Sequence, residues 1–406
     1  HWRDFIVPAY HWWEKPWYAT GLKLYDFLAG NLGGQPSRIL SREETQDRVP
    51  GIRSDGLSGG ISYQDGQFDD AGLAIALAEK IFALGGTALN YTRVVRFLKT
   101  GNQIQGAVIR DEETGSEMPI HARQIINATG AFADSIRSLD QDSIQPLVAA
   151  SQGSHIVLPA RFMPSTSALM IPRTNDGRIL FLIPWNDRLL IGTTDVAKTA
   201  PTLEPQPTED EISFLLNHAA DYLKEKPGEA DILSSFAGLR PLVRSNRSSS
   251  TKNLSRDHFI EVADSGLITI VGGKWTTYRK MAEDTINTAI KRAGLSPRAC
   301  PTQDLVLEKS RSASTGESKP LHQGLPITEP DVIHASRNQM ARTVEDVMAR
   351  RTRCLLLDAR ASAEITPRIA GLLAGELNRD TKWINDQIGK FQKLCRAYLP
   401  SSSKLP

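Results

Sequence analysis

The run GLITIVGGKWTTYRKM, residues 266–281, takes a β-branched strand into a double glycine, a lysine and the start of a long helix. An apolar strand that ends in Gly272-Gly273 and feeds a helix leaves bare backbone N–H groups at the positive end of the helix dipole, where an anion or a cofactor can approach. A plain strand-to-helix turn has the same composition, so the run acquires chemical meaning only beside other segments. One such segment is Gln124-Ile125-Ile126 leading into Asn127-Ala128-Thr129-Gly130. It reads as a buried strand ending in small residues that admit a phosphate or ribose against the backbone.

The elements that must position these residues are legible in the spacing of apolar side chains. Asp69 caps an expected helix with Leu73, Leu77, Ala78, Ile81 and Phe82 on one face, and Gly85-Gly86 stops it. Strands over 91–98, 104–110 and 118–121, separated by Thr100-Gly101-Asn102 and Glu113-Thr114-Gly115-Ser116, predict a small meander. Residues 151–195 predict an antiparallel sheet with strands near 155–158, 168–171, 178–185 and 188–191, and hairpin turns at Asn175-Asp176-Gly177 and Asn186-Asp187. Thr208 to Glu211 spells a capping box for a helix with Ile212, Leu215, Leu216, Ala219, Ala220 and Leu223 at helical spacing. A strand over 232–236 leads into Gly238-Leu239-Arg240-Pro241, and a serine-rich stretch over 245–251 precedes Arg256-Asp257-His258. Residues 310–319 form a polar linker, and beyond about Pro330 an amphipathic series begins at Val344 and Val347 and runs past Pro367 to Leu399.

At 406 residues, 40% hydrophobic and 23% charged, the chain can bury a large core divided over two or three domains. A net charge of +2, with acidic and basic residues interspersed, gives no basic face for nucleic acid. Cys300, Cys354 and Cys395 are few, odd in number and without metal spacing, which predicts a reducing compartment and no metal. No stretch reaches the roughly 20 apolar residues of a membrane span. Trp2, Trp12, Trp13 and Trp17, mixed with Lys15 and Lys23, suit either a membrane interface or a packed helical hairpin.

In order, YQDGQFDD (63–70), INATGAFAD (126–134), QGSHIVLP (152–159), FLIPW (181–185), LIGTTD (190–195), GLRPL (238–242), SRDH (255–258) and GGKWTTYRKMAEDT (272–285) resemble the FAD-dependent glycerol-3-phosphate dehydrogenases. The tail VEDVMARRTRCLLLDARA (344–361) is similar to that family's C-terminal domain. The resemblance implies an α/β plus α+β protein. A glutathione-reductase-like, two-layer FAD-binding fold would span 1–150 and 266–300, with an antiparallel substrate domain over 151–265 and an all-α domain over 320–406. It also implies a strand, a G-x-G-x-x-G loop and a helix for the FAD pyrophosphate. Gly56-Leu57-Ser58-Gly59-Gly60 has the wrong spacing for that loop. A first βαβ unit, some tens of residues, is therefore expected upstream of His1.

The implied reaction is hydride transfer from C2 of sn-glycerol 3-phosphate to FAD, giving dihydroxyacetone phosphate, with a membrane quinone as acceptor. The resemblance makes Arg240, Arg256 and Lys274 the clamp for the substrate phosphate and His155 the base for the C2 hydroxyl proton, near its ordinary pKa. Gly130 would face the pyrophosphate or ribose. Gly272, Gly273, Thr276 and Thr277 would face the flavin edge, although Thr276 can equally be a helix cap. The location implied is cytoplasmic, peripheral on the inner face of the cell membrane, with a homodimer possible. A glycerol-3-phosphate oxidase using O2, and a piece that does not hold FAD, stay open beside the quinone-linked enzyme.

Overall fold

The computed structural model describes residues 1–29, 34–174, 177–244, 257–308 and 318–402. Asn175, Asp176, the stretch 245–251, Arg256 and most of the expected linker 310–319 lie outside the described residues.

The chain opens with β1 (Trp2–Ala9), α1 (Glu14–Ala29), β2 (Arg38–Leu40), α2 (Arg42–Arg48) and β3 (Gly59–Gly66). Helix α3 (Asp70–Ala83) leads into β4 (Thr92–Thr100), β5 (Gln103–Asp111), β6 (Glu117–His121), β7 (Ile126–Asn127) and α4 (Ala133–Arg137). Next come β8 (Val148–Pro159), β9 (Ala168–Ile171), β10 (Leu180–Trp185), β11 (Arg188–Gly192), β12 (Val196–Lys198) and α5 (Glu209–Tyr222). The strands β13 (Ser234–Val243), β14 (His258–Val262) and β15 (Ile268–Gly272) follow, then α6 (Tyr278–Arg292), α7 (Glu329–Asn338), α8 (Cys354–Leu357), α9 (Ala359–Leu377) and α10 (Thr381–Ala397).

Among the described residues, one nine-stranded sheet runs in the order β12-β8-β11-β10-β9-β1-β3-β2, with β13 also paired to β8. The expected first unit, 1–150, is thus divided: β1, β2 and β3 lie in the same sheet as the strands of 148–243, while β7 joins β14 and β15 in a second sheet. The physical reason is β1 itself. Phe5, Ile6 and Val7 are an uninterrupted apolar run, buried on both faces, that pairs antiparallel with β3 and parallel with β9. The tryptophans flanking that run are exposed, whereas Tyr18 and Leu22 of α1 pack against the cluster of Phe5, Val7 and Tyr63.

Local signals elsewhere produce the expected elements. Asp69 accepts a hydrogen bond from Gly72 N as N-cap of α3, and Thr208 with Glu211 forms a capping box at α5. The meander β4-β5-β6 is antiparallel throughout, although Tyr91, at φ +52°, stays outside it and sends its hydroxyl to Asp346. The C-terminal series is helical but broken. A π-helical turn over Asp346–Arg351 ends at Arg353, at φ +60°, and Asp358 then caps α9 by accepting from Arg360 N and Ala361 N at 3.0 Å. Val344, Val347, Met348, Cys354 and Leu355 still form the core of the helical domain.

Period-two alternation in β8 sorts the central strand into two faces. Ile156 and Leu158 point into a core that contains Ile212, Leu215, Leu216 and Ala219 of α5. Gln152 and Ser154, at the same parity, turn to the same side, and Ser151, Gly153 and His155 face the other.

Candidate functional site

The face of β8 away from α5 carries a compact polar cluster. In the β8-β13 ladder Phe236 lies opposite His155, Gly238 opposite Gly153 and Arg240 opposite Ser151, so Phe236 and Arg240 share the face of His155. The His155 ring stacks on Phe236 with centroids 5.5 Å apart and 15° between planes. Across the other ladder Gly192 is its partner, and a Cβ there would run into the imidazole. Among the described residues no hydrogen bond engages either His155 nitrogen. Burial, then the charge of Arg240, pushes its pKa down to about 4, which corrects the expectation of an ordinary imidazole.

Arg240 is held by the turn after β11. Its Nη2 donates to Thr193 Oγ1 at 2.9 Å and its Nη1 to the Thr194 carbonyl at 3.2 Å, with Asp195 Oδ1 at 3.9 Å. Ser151 donates to that same Asp195 oxygen. A Cβ on Gly153 would occupy the space of the guanidinium, so the two glycines keep room for the imidazole and the guanidinium. The added methyl has different consequences at the two sites. Gly192→Ala meets a stiff ring backed by Phe236 and is expected to cost about 1–3 kcal/mol of unfolding free energy. Gly153→Ala meets the Arg240 guanidinium and the Thr193 hydroxyl, side-chain ends with more room to shift, and is expected to cost less in the same denaturant titration.

The glycine-lysine turn lies at the far end of the same strand. Val243, last residue of β13, packs with Val271, Ala133 and Val148, and it is the atom neighbour that a Cβ on Gly272 would strike. A Cβ on Gly273 would strike Met281 instead. Both residues have positive φ, +75° and +76°, so the turn requires glycine for its own packing. Gly130, at φ +58°, has open space where its Cβ would be. Lys274, Thr276 and Thr277 are exposed. Thr277, rather than Thr276, closes the turn: its Oγ1 accepts from Lys274 N at 3.2 Å. Arg256, expected in the clamp, is outside the described residues. Sequence reasoning missed Gly153, Gly192, Thr193 and Asp195 as site residues. Their signal was their place inside the QGSHIVLP and LIGTTD runs.

Strands β7 and β15 are parallel, with Ile126 opposite Ile268 and Asn127 opposite Thr269. Each leads at its C-terminal end into glycine and a short helix, Gly130–Phe132 and Trp275–Thr277. Ligands in open α/β sheets bind at this end of the strands, where helix N-termini supply N–H groups. The pattern of the FAD dependent oxidoreductase family matches residues 2–279, and the chain belongs to that family. Residues 268–383 match the C-terminal domain of alpha-glycerophosphate oxidase.

The chain is 36% identical over 424 residues to the mitochondrial glycerol-3-phosphate dehydrogenase of Rattus norvegicus, covering 92% of this chain and 58% of that protein. It is 33% identical to a mitochondrial glycerol-3-phosphate dehydrogenase of Arabidopsis thaliana, covering 98% of this chain and 72% of that protein. Within the oxidoreductases it therefore falls among the glycerol-3-phosphate dehydrogenases. The glycerol-3-phosphate dehydrogenase of Bacillus halodurans, solved with FAD, shares the fold at a TM-score of 0.79 and 23% identity over all of this chain and 84% of that one. The chain spans a little over half the length of the rat protein.

Proposed function

We propose that the protein oxidises sn-glycerol 3-phosphate to dihydroxyacetone phosphate, with FAD as cofactor and a membrane quinone as electron acceptor. The observation that carries this is the pairing of His155 and Arg240 on one face of adjacent strands, the imidazole without a hydrogen bond among the described residues and the guanidinium fixed by Thr193. The residues at the ends of β7 and β15 fit FAD: the space beside Gly130 is open where a Cβ would be, and the exposed Trp275 and Thr276 begin the helical run into α6. When bound there, FAD supplies the acceptor for the hydride that leaves C2.

The chain's own residues do the rest. Arg240 binds two oxygens of the phosphate in the bidentate geometry that guanidinium favours, and Lys274 adds a second cation. His155 takes the C2 hydroxyl proton at Nε2, the nitrogen on the Gly192 side. An imidazole pushed down to about 4 is a weak base. A phosphate dianion on Arg240 cancels the second cause of that depression, so substrate binding raises the basicity of His155 toward the useful range. Substrate-dependent reduction of a quinone analogue, run beside a peroxide assay, tests the proposal. Peroxide in step with substrate consumption would support an oxidase instead, the reading favoured by the match of 268–383 to an oxidase domain. No flavin absorbance in the purified protein would sink both.

A quinone acceptor requires docking on a bilayer surface, since no helix among the described residues is long and apolar enough to cross one. The opening residues supply a candidate face. Trp12 is 83% exposed and Trp17 71%, with Lys15 on the same helix and Trp13 beside it. The arginines of the C-terminal tail are occupied internally: Arg351 donates to the Gln339 carbonyl and Arg353 pairs with Asp69. Co-sedimentation with anionic liposomes is expected for the wild type and is expected to drop sharply for Trp12→Ser/Trp13→Ser with unchanged circular dichroism. Equal binding by the folded double variant would remove this face from the proposal.

A further inference from the structure

Behind the site, on the α5 side of the sheet, a carboxylate is buried among neutral donors. Glu211 Oε1 accepts from Ser154 Oγ at 2.7 Å and from Thr194 Oγ1 at 2.5 Å. Its Oε2 accepts from Gln152 Nε2 at 2.7 Å, from Thr208 N at 3.0 Å and from Thr208 Oγ1 at 3.2 Å. Thr194 Oγ1 also accepts from Ser154 N at 2.9 Å, which ties the turn after β11 to the centre of β8. Helix capping explains only the two Thr208 contacts; the other three reach out of α5 to the sheet.

Each sheet residue that Glu211 holds is the chain neighbour of a site residue on the opposite face. Ser154 lies between Gly153 and His155. Thr194 lies between Thr193, which holds Arg240 Nη2, and Asp195, and its own carbonyl accepts from Arg240 Nη1. Alternate residues of β8 point to opposite faces, so fixing Ser154 at the back fixes Gly153 and His155 at the front, and in the turn Thr194 carries the link directly through its own carbonyl. We infer that Glu211 is a positioning residue: its carboxylate sets the 193–195 turn against β8 and thereby orients the Arg240 guanidinium toward the substrate phosphate. A buried charge held only by neutral donors costs desolvation that a structural site can avoid with an apolar residue. Burial opposes ionisation, but the hydrogen bonds from Thr194, Thr208, Ser154 and Gln152 outweigh it and hold the carboxyl below its usual range, so it is anionic at neutral pH.

The inference rests on Arg240 being the phosphate clamp, and its test separates the two. Glu211→Gln keeps an oxygen on the Thr208 backbone N–H and turns its new NH2 toward the Ser154 and Thr194 hydroxyls, which then accept instead of donate, so the charge-assisted contacts that hold the turn become weaker neutral ones. In the FAD-loaded protein, the dissociation constant by calorimetry of dihydroxyacetone phosphate, which carries the same phosphate but has no C2 hydride to give to the flavin, is expected to rise about fivefold to tenfold, the scale of coupling within one hydrogen-bond network. In an Arg240→Ala background the same substitution is expected to add nothing. Thr194→Val, which removes the link at its other end, is expected to behave alike. A lowered unfolding midpoint with an unchanged dissociation constant overturns the inference, as do effects that add to those of Arg240→Ala, or failure of both variants to fold. An Arg240→Ala protein that binds normally overturns the clamp itself, and this inference with it.

Discussion

Replacing Arg240 by alanine is expected to raise KM for sn-glycerol 3-phosphate by about 10- to 100-fold, because a lost charge-assisted, bidentate contact costs on the order of 1.5–3 kcal/mol. Unphosphorylated glycerol, turned over poorly at the start, is expected to lose little, since it has nothing for the guanidinium to grip. The comparison matters because Arg240 also bonds Thr193 and Thr194. A guanidinium that only tied the turn to β13 would weaken both substrates alike, and that result would assign Arg240 to structure. The unfolding midpoint of the variant, measured alongside, shows how far the turn itself depends on the side chain.

Replacing His155 by alanine is expected to slow substrate-driven flavin reduction by about 10²-fold or more in stopped flow, the usual scale for loss of a general base. Bound substrate should persist, since Arg240 remains. The pH profile supplies a second reading of the same residue. A depressed pKa leaves the imidazole neutral, and able to accept a proton, down to about pH 4 in the free enzyme. The acid limb of kcat/KM is therefore expected well below 6.5. The sign of the stability effect follows from the same shift. Between about pH 6.5 and 4 the unfolded chain binds a proton on this residue that the folded chain refuses, so stability falls as pH drops through that window. An unchanged reductive rate in His155→Ala would leave proton transfer to water or another group.

What was legible in the sequence is what is encoded locally. The cap Asp69 and the box Thr208-Glu211 need only residues three positions apart, and β4, β5 and β6 need only neighbouring strands. His155, Arg240 and Lys274 stood out because ordered motifs surrounded them. The assembly around them was not legible, because its contacts join distant positions. Thr193 meets Arg240 across 47 positions and Ser154 meets Glu211 across 57. The pairing of β1 with β9 is longer still, and Pro8 with the flanking tryptophans disguised that strand as something else. Glu211 read as an ordinary helix cap because half of its role is that of one.

Strand β13 joins three parts of the molecule. At its start Ser235 N donates to the Tyr398 carbonyl at 2.7 Å and Ser234 Oγ reaches the Leu356 carbonyl, both in the helical domain. Its middle carries Arg240, and its last residue lies against the glycine turn beside Lys274. One extended segment of ten residues therefore spans the helical domain, the proposed phosphate clamp and the turn proposed to hold the cofactor. An extended strand hydrogen-bonded along its length to β8 transmits displacement like a rod, with little slack for any one station to shift alone. The helical domain thus anchors one end of a gauge bar, and the spacing between Arg240 and the glycine-lysine turn is set by backbone geometry, about 3.4 Å per residue.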